Sequence, residues 1–497
     1  MINLLINRVF SLCDLFDEGD ITKRDISMLT EKPLNSLPQL PGPKGLPILG
    51  NLFQIDLQKL HSILEEWSDS YGEIYKFKIA NKTVVAISDP TLIQNILRDR
   101  PETYRRVSSI ERVARELGIH GVLSAEGEQW QRQRHLTMQA FKPEYLRRFF
   151  PDMRKITERL KSRWSKIADS GQSIDVQKDW MRFTVDITTH LAFGYDINLL
   201  EQEGDDFQRH LEKLLPVFNR RANAPFPYWH FFKLPSDRAM EKSLEVIKEK
   251  IHAFVQQTRQ RLEQQPEFAM QPANFLEALL LAHDNDGAPL SDLEIQGNII
   301  TILLAGEDTT AHTLAWLLYL ITEHPEVQHK MQQEADTVLG ADTMPPDISS
   351  VEQLNYIEAV AHETMRLKSV APLMFMEPNR DVELAGITIP KGTFLMLVNR
   401  HGALQEENFT DAHEFKPERW LESNQTACTH NRNASIPFGA GPRFCPGRNL
   451  AMLEIKMAMA MLCRNFSITR VETGLPVQEI FSFTMMPDKL MVKFVAR

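Results

Sequence analysis

A long apolar stretch between Ser291 and Glu323 constrains the fold more than any other part of the chain. Ser291 and Glu294 have the spacing of a capping box, in which each side chain satisfies an amide of the first helical turn. The apolar pattern stops before Pro325, because proline disfavours helix in the residue that precedes it. At about 1.5 Å per residue, the predicted helix is roughly 50 Å long and crosses a whole domain.

Charged residues at the centre of this helix make it a candidate functional element. Glu307, Asp308 and His312 interrupt the apolar pattern, and a membrane-spanning helix would tolerate them poorly. The sequence therefore predicts a helix that is buried in a large domain and carries acids at its middle.

Composition is that of a soluble globular protein. The chain has 497 residues, of which 43% are hydrophobic and 25% charged. The net charge of -10 and the absence of a long Lys/Arg run argue against nucleic acid as a partner. Four cysteines (Cys13, Cys428, Cys445 and Cys463) are too scattered for a disulfide framework or a Cys/His metal site, which favours a reducing compartment.

The N-terminal segment MINLLINRVFSLCDLFDEGD is apolar in part, but Asn7 and Arg8 interrupt it. It is shorter than the roughly 20 apolar residues that span a bilayer, and it lacks the small-residue cleavage site of a signal peptide. An amphipathic helix packed on the body is favoured over peripheral membrane contact. We therefore expect a soluble, cytoplasmic protein without a transmembrane segment.

The rest of the chain predicts a mainly helical fold with a minor β part. A Pro- and Gly-rich lead-in at 33–50 is followed by a helix at 61–71 and two strands, 74–79 and 83–87, which form a hairpin. Residues 91–339 are mostly helical in pattern, and a second β-rich patch covers 382–398. We expect an N-terminal extension at 1–40 and a single catalytic domain at 41–497.

A glycine-rich loop around Cys445 is the most specific motif. The segment FGAGPRFCPG covers residues 438–447 and leads directly into an apolar, helix-like run at 449–463. Its glycines allow a tight loop whose amides point at the sulfur, and the start of the following helix favours a negative sulfur. The alternative is an inert buried cysteine beside a turn.

This loop resembles the haem-binding loop of the cytochrome P450 family, FxxGxRxCxG, at all its fixed positions: Phe438, Gly441, Arg443, Cys445 and Gly447. The resemblance implies a helical bundle around haem b (iron protoporphyrin IX), with a long central helix and small β-sheets. It also implies that Cys445 is the sulfur ligand of the iron. The expected activity is a monooxygenase that inserts one oxygen atom of O2 into an organic substrate.

The centre of the long helix, Ala305–Thr310, resembles the oxygen-activation motif of that family. Gly306 is expected to let the helix approach a flat ligand, with Ala305 against the cofactor. The Thr309 hydroxyl is expected to bond back to the Ala305 carbonyl. The resemblance implies that Asp308 and Thr309 are catalytic and deliver protons during oxygen activation. In isolation, a polar helix face with a routine Thr-Thr pair would be the favoured explanation, but beside the cysteine loop the oxygen-activation motif is favoured.

Three residues match the structural triad of the family. Glu363 and Arg366 share one face of a helix, and Arg419 lies in a segment, FKPERW, that resembles the later part of the triad motif. The resemblance implies that they hold the fold around the haem and take no part in catalysis.

Trp130 and Arg134 have the WxxxR spacing of the helix that contacts a haem propionate in this family. Arg134 and Arg443 would supply charge-assisted hydrogen bonds. One departure from the family pattern is clear, because the position where many members keep a propionate-binding arginine falls on Met376. Either Arg380 reaches in from a shifted register, or other groups satisfy that propionate.

Candidate substrate contacts follow from the family's pocket-lining segments, and they are mostly apolar: Ile302, Ala371, Leu373, Phe375, Phe483 and Met485. A lipophilic substrate, such as a fatty acid or a terpenoid, is therefore expected, although core packing explains each residue as well.

Four arginines precede Trp130: Arg105, Arg106, Arg112 and Arg115. One of them could hold a substrate carboxylate; a solvated basic face or a contact with a redox partner is favoured.

Electrons are expected from separate proteins, because no flavin, nicotinamide or iron–sulfur motif follows the cysteine loop. A basic patch near Cys445 would attract an acidic ferredoxin or flavodoxin with its reductase. The candidate residues of this patch are Arg132, Lys142, Arg147, Arg148, Arg448 and Lys456. The alternatives are a peroxide-using or isomerising haem-thiolate enzyme and a haem-binding carrier or sensor without turnover.

Overall fold

The computed structural model describes residues 37–202, 206–224, 226–265, 272–284, 287–421, 430–471, 474 and 476–497. The N-terminal segment for which we expected an amphipathic helix lies outside the described residues, as do Cys13 and Cys428.

The chain is mainly helical, as the sequence predicts. The helices in chain order are α1 (Leu60–Tyr71), α2 (Pro90–Arg98), α3 (Ser108–Glu116), α4 (Gly127–Gln139), α5 (Pro143–Ser170), α6 (Val176–Phe193), α7 (Asp206–Leu211), α8 (Leu214–Ala222), α9 (Pro235–Gln264), α10 (Phe275–Leu281), α11 (Asp292–Glu323), α12 (Pro325–Leu339), α13 (Ile348–Glu352), α14 (Asn355–Leu367) and α15 (Arg448–Asn465).

The strands form small sheets at the periphery of the helices. In chain order they are β1 (Ile74–Ile79), β2 (Lys82–Ile87), β3 (Tyr104–Arg106), β4 (Ile174–Asp175), β5 (Leu373–Pro378), β6 (Val382–Leu384), β7 (Ile387–Ile389), β8 (Phe394–Val398), β9 (Phe466–Arg470), β10 (Glu479–Phe481), β11 (Met485–Pro487) and β12 (Met491–Ala496).

The largest sheet has the order β1-β2-β8-β5-β3, in which only β2 and β8 run parallel. Its predicted hairpin is confirmed: β1 and β2 pair antiparallel from Ile74 opposite Ile87 to Ile79 opposite Lys82. The predicted β-rich patch contains β6, β7 and β8. The sequence analysis missed the preceding strand β5, because we had assigned residues 371–375 only to the substrate pocket.

Helix α11 is the longest helix and the centre of the core. Ser291 caps it through a capping box with Glu294, and the helix ends at Glu323, as predicted. Its buried side chains extend from Ile295 to Ile321, and α6 is its most extensive neighbour. Because the middle of this helix is enclosed on nearly all sides, an accessible side chain there borders an internal space and not the outer surface.

Among the described residues, no helix combines the length and the apolar character that crossing a membrane requires.

Candidate active site

The loop before α15 contains a glycine that no other residue could replace. Gly441 has a φ of 68°, and a Cβ atom at this position would overlap the backbone of Leu97. After a short 3₁₀ turn at Gly441–Arg443, the Cys445 amide donates to the Phe438 carbonyl at 2.9 Å. The loop is thereby closed on itself and holds Cys445 just before the first turn of α15.

The Cys445 sulfur is surrounded by groups that favour a negative charge. The backbone amides of Gly447 and Arg448 donate to it, and Arg134 attracts it. The N-terminus of α15 adds the positive end of a helix dipole. Burial raises the pKa of the thiol, and these three groups oppose that rise. Because a coordinated thiol loses its proton, this arrangement suits a thiolate that binds a metal ion.

Cys463 is the other cysteine among the described residues. It is fully buried within α15, and burial raises the pKa of its thiol. A cysteine in such surroundings is inert, which leaves Cys445 as the candidate ligand.

One face of α11 borders an internal space. Ala305 is exposed although it lies in the middle of a buried helix, and Ile302 and Thr309 on the same face are half-buried. The Thr309 hydroxyl donates to the Ala305 carbonyl at 2.9 Å, as the sequence predicts. This bond uses the hydroxyl proton and leaves the lone pairs of the Thr309 oxygen available to accept a hydrogen bond, for example from a water molecule.

The two acids that precede Thr309 have different surroundings. Asp308 is half-buried, and burial, together with repulsion from Glu212, raises its pKa to about 6. Glu307 is only 2% exposed, and burial raises its pKa well above the ordinary range. The pKa of Asp308 is therefore close to the range that suits proton exchange near neutral pH, whereas burial favours the neutral form of Glu307.

Gly306 allows a helix contact that the sequence analysis did not anticipate. A Cβ atom at this position would overlap the side chain of Thr188, and Thr184, one turn earlier on α6, donates to the Glu307 carbonyl at 2.9 Å. The close approach that Gly306 allows is therefore between α11 and α6.

The predicted propionate-binding residues lie close to the cysteine loop. The Arg134 guanidinium lies 4.8 Å from the centre of the Phe444 ring and donates to the Phe444 carbonyl at 2.7 Å. The Arg443 guanidinium lies 4.6 Å from the centre of the Trp130 ring. The structure thus brings Trp130, Arg134 and Arg443 together beside Cys445.

The surroundings of Met376 and Arg380 bear on the propionate contact that the sequence left open. Arg380 is exposed and donates to the Thr103 hydroxyl at 3.3 Å, so it does not reach inward. Met376 is buried on β5 and lies directly opposite Arg106 on β3. Side chains at opposed positions share one face of a sheet, so Arg106 supplies an arginine on the face where Met376 has none.

The sequence analysis missed Arg100 and Glu126 and assigned Arg106 to the wrong group. Glu126 accepts from Arg443 at 2.5 Å and from the Arg106 amide at 3.2 Å, and it lies 3.7 Å from Arg100. Burial and repulsion from Arg106 and Arg443 lower the pKa of Arg100 to about 8. Their spacing along the chain matches no motif, so no sequence signal could have identified this group.

These residues fit the two propionates of a haem. The guanidinium groups of Arg100 and Arg443 share the Glu126 carboxylate, and Arg106 contacts that carboxylate through its backbone amide. Basic groups therefore outnumber acidic groups in this cluster. Nε and Nη2 of Arg100 and Nε of Arg106 are buried and have no hydrogen-bond partner among the described residues. Buried donors without partners are costly, and two carboxylates would satisfy both the charge and the donors.

The structural triad forms as the resemblance implies. Glu363 is fully buried and accepts hydrogen bonds from Arg366 at 2.7 and 2.9 Å and from Arg419 at 3.0 Å. Trp420 adds a bond to the same carboxylate at 2.8 Å. Arg366 also donates to the carbonyls of Ala403 and Ala412. The triad therefore ties α14 to the segment that leads to the cysteine loop.

The candidate substrate residues divide into two groups. Ala371, Phe375 and Phe483 are half-buried, as is Ile302, which suits residues that line a pocket. Leu373 is 7% exposed and Met485 is fully buried, and the Met485 sulfur accepts from Arg400 at 3.4 Å. For these two the structure favours core packing.

The arginines before Trp130 are mostly engaged. Arg105 and Arg115 both pair with Glu111, Arg106 lies beside Glu126, and Arg112 is exposed on α3. Nothing in their positions favours a role in binding a substrate carboxylate.

Comparisons with known proteins identify the family of this chain. The family model described as cytochrome P450 matches residues 40–494. Cytochrome P450 3A12 of Canis lupus familiaris is 28% identical over 483 residues, which cover 91% of this chain and 90% of that protein. The mitochondrial 25-hydroxyvitamin D-1 alpha hydroxylase of Mus musculus is 27% identical over 486 residues, which cover 94% of each. The chain therefore belongs to the cytochrome P450 family and is a haem-dependent monooxygenase that uses O2.

Proposed function

We propose that this protein binds haem b through Cys445 and hydroxylates a lipophilic substrate, with electrons from a separate ferredoxin or flavodoxin and its reductase. The observation that carries the proposal is the environment of the Cys445 sulfur, which accepts hydrogen bonds from the backbone amides of Gly447 and Arg448 at the start of α15. Arg100, Arg106, Arg134, Arg443 and Trp130 would hold the propionates. Phe438 would lie on the cysteine side of the haem, and Ala305 on the opposite side.

The haem, when bound, would supply the activation of O2. The residues of α11 manage protons at that face. Asp308, with a pKa raised to about 6, is poised to take up and release protons at neutral pH. The Thr309 hydroxyl donates its own proton to the Ala305 carbonyl. Its oxygen can therefore accept a hydrogen bond from a water molecule and position that water for a proton from Asp308.

The substrate side of the site is apolar. Ile302, Ala371, Phe375 and Phe483 offer hydrocarbon surface without a charged group among them. Pockets of this kind bind molecules mainly by removing apolar surface from water, which supports a lipophilic substrate.

Spectroscopy of the purified protein tests the haem site. The ferrous–carbon monoxide complex should show the red-shifted haem band of a thiolate ligand, and Cys445→Ser should lose it. Cys463→Ser, the matched control, should keep it because Cys463 is buried within α15. The same spectrum in Cys445→Ser would disprove the assignment.

The reaction class is tested by isotope labelling. Turnover under labelled O2 with a reductase system should place one labelled oxygen atom in the product. Equal turnover with hydrogen peroxide and no reductant would favour a peroxide-using enzyme. Turnover without net oxidation of the substrate would favour an isomerase. Haem binding without electron consumption would favour a carrier or sensor.

The docking surface for the partner is smaller than the sequence suggested. Lys456 is buried and its Nζ lies 2.5 Å from Glu358, while Arg132 is held by Asp284 and Glu294 at 2.7 and 2.9 Å. Neither is available to a partner. The remaining candidates are exposed: Lys142, Arg147, Arg148 and Arg448.

Charge reversal tests this surface. Lys142→Glu with Arg147→Glu should slow reduction by an acidic partner about 10-fold at low salt, and the difference should shrink as salt is added. Arg448 is left intact because its amide touches the Cys445 sulfur. Lys391→Glu, at an exposed turn before β8, is the control and should reduce at the wild-type rate. Wild-type rates in the double variant would refute the electrostatic account.

A further inference from the structure

His312 is a buried histidine that neither the haem site nor the triad uses. It is 5% exposed, and its Nδ1 lies 2.9 Å from the hydroxyl of Thr484. Burial lowers its pKa to about 4, so the imidazole is neutral at physiological pH. A neutral imidazole has one N–H donor and one acceptor nitrogen, and Thr484 occupies only one of the two.

The other ring nitrogen, Nε2, is available. It has no hydrogen-bond partner among the described residues. Some histidine nitrogens in this protein are both buried and without a partner, such as Nδ1 of His61 and of His190. Nε2 of His312 is not buried in this way. The small exposed area of His312 therefore includes Nε2.

The exposed side of His312 faces the same internal space as the active site. Residues 305, 309 and 312 are separated by four and three positions, so they lie on one face of α11. His312 is one turn, or about 5 Å, beyond Thr309, and helical side chains lean toward the N-terminus of their helix. The neighbouring residues from Ala311 to Leu318 are nearly or fully buried, which excludes a route from Nε2 to the outer surface along this helix.

Thr484 lies in the turn between the paired strands β10 and β11, and other contacts hold this hairpin in place. Trp316 Nε1 donates to the Met485 carbonyl at 3.2 Å, and the Met485 amide donates to the Val370 carbonyl at 2.9 Å. These bonds keep Thr484 in place without help from His312. Thr484 thus fixes the imidazole through Nδ1, and Nε2 remains free to bind a group in the pocket.

We propose that His312 is a specificity-determining residue whose Nε2 hydrogen-bonds an uncharged oxygen, a hydroxyl or carbonyl group, on an otherwise lipophilic substrate. The inference rests on the proposed function, because it places this oxygen in the substrate pocket above the haem. The surrounding residues are apolar, so a single polar contact orients the substrate strongly. A carboxylate is disfavoured because, among the described residues, no lysine or arginine contacts this neutral imidazole.

Iron-coordinating probes test the proposal. The probes are 1-alkylimidazoles of increasing chain length that end in a methyl, a hydroxyl or a carboxylate group, and binding is followed by the haem absorbance of the ferric holoprotein. At the chain length that reaches His312, the hydroxyl compound should bind about 10-fold tighter than the methyl compound, as expected for one hydrogen bond in an apolar site. The carboxylate compound should gain no such advantage.

Two variants separate recognition from support of the fold. His312→Phe should abolish the preference for the hydroxyl group and leave the affinity for the methyl compounds within about twofold. Thr484→Val, which removes the bond to Nδ1 and keeps the imidazole, should retain the preference. An unchanged preference in His312→Phe, or equal weakening of all compounds in both variants, would overturn the proposal. A failure of every imidazole to shift the haem band would instead contradict the haem site itself.

Discussion

Arg106 and Met376 lie directly opposite each other on the paired strands β3 and β5. Many cytochromes P450 keep a propionate-binding arginine at the position of Met376, and we propose that Arg106, on the neighbouring strand, takes its place here. Arg106 lies beside Glu126, whose carboxylate also contacts Arg443 and Arg100. In this proposal the positive charge at this corner of the site is kept, but a different position in the sequence supplies it.

Arg106→Met should weaken haem retention, because it removes one of the charges that face the propionates. We expect haem transfer to an apoprotein acceptor to become about 10-fold faster, which corresponds to the loss of one charge-assisted hydrogen bond. Adding Met376→Arg to this variant should restore retention, since the new guanidinium starts from the same face of the sheet. Arg380→Met is the control and should retain haem normally, and a failure of Met376→Arg to rescue would argue against the exchange.

Thr309→Ala should separate oxygen consumption from product formation. Without the Thr309 hydroxyl, the proton supplied by Asp308 is no longer positioned, so electrons should be released as hydrogen peroxide while substrate still binds. Thr301→Ala is a matched control, because Thr301 makes the same backbone bond, to Gly297 at 2.8 Å, outside the motif. Peroxide yield per electron is the measurement, and full coupling in Thr309→Ala would contradict the role.

Glu363→Gln should destabilise the fold severely. The change leaves Arg366 and Arg419 buried without a counter-charge, and breaking a buried pair in this way costs about 3–5 kcal/mol. Urea unfolding of the holoprotein should show a markedly lower midpoint, or the variant should fail to accumulate. Glu326→Gln, at an exposed position on α12, should unfold like the wild type. A wild-type midpoint for Glu363→Gln would mean that the triad contributes nothing to stability.

Glu454 should make stability depend on pH. This residue on α15 is 1% exposed, and burial raises its pKa from 4.5 to about 8, although a hydrogen bond with Thr310 opposes the rise. The folded protein therefore holds a proton that the unfolded chain releases between pH 4.5 and about 8, so stability falls as the pH rises through this window.

Glu454→Gln should flatten this dependence, because glutamine does not titrate and can keep the bond with Thr310. The measurement is the unfolding midpoint of wild type and variant at several pH values. Glu352→Gln, an exposed substitution on α13, should leave the wild-type slope. Parallel curves for wild type and Glu454→Gln would show that Glu454 does not titrate in this range.

The sequence alone identified the elements whose signals are local. The capping box at Ser291 and the proline after His324 set the bounds of α11, and the apolar strands on either side of Asn81 predicted the hairpin. The spacing around Cys445 located the candidate ligand. In each case the residues that determine the structure are neighbours in the chain, so propensity, capping and motif spacing were sufficient.

Only the tertiary structure decided the surroundings of these elements. Lys456 and Arg132 were expected to be free charges, but acids from other parts of the chain hold them. The pairing of Arg106 with Met376 and the contact of His312 with Thr484 join segments that are far apart in the chain. Which groups meet in this way depends on how helices and sheets pack, because burial and hydrogen bonding are properties of the assembled core and not of the order of residues.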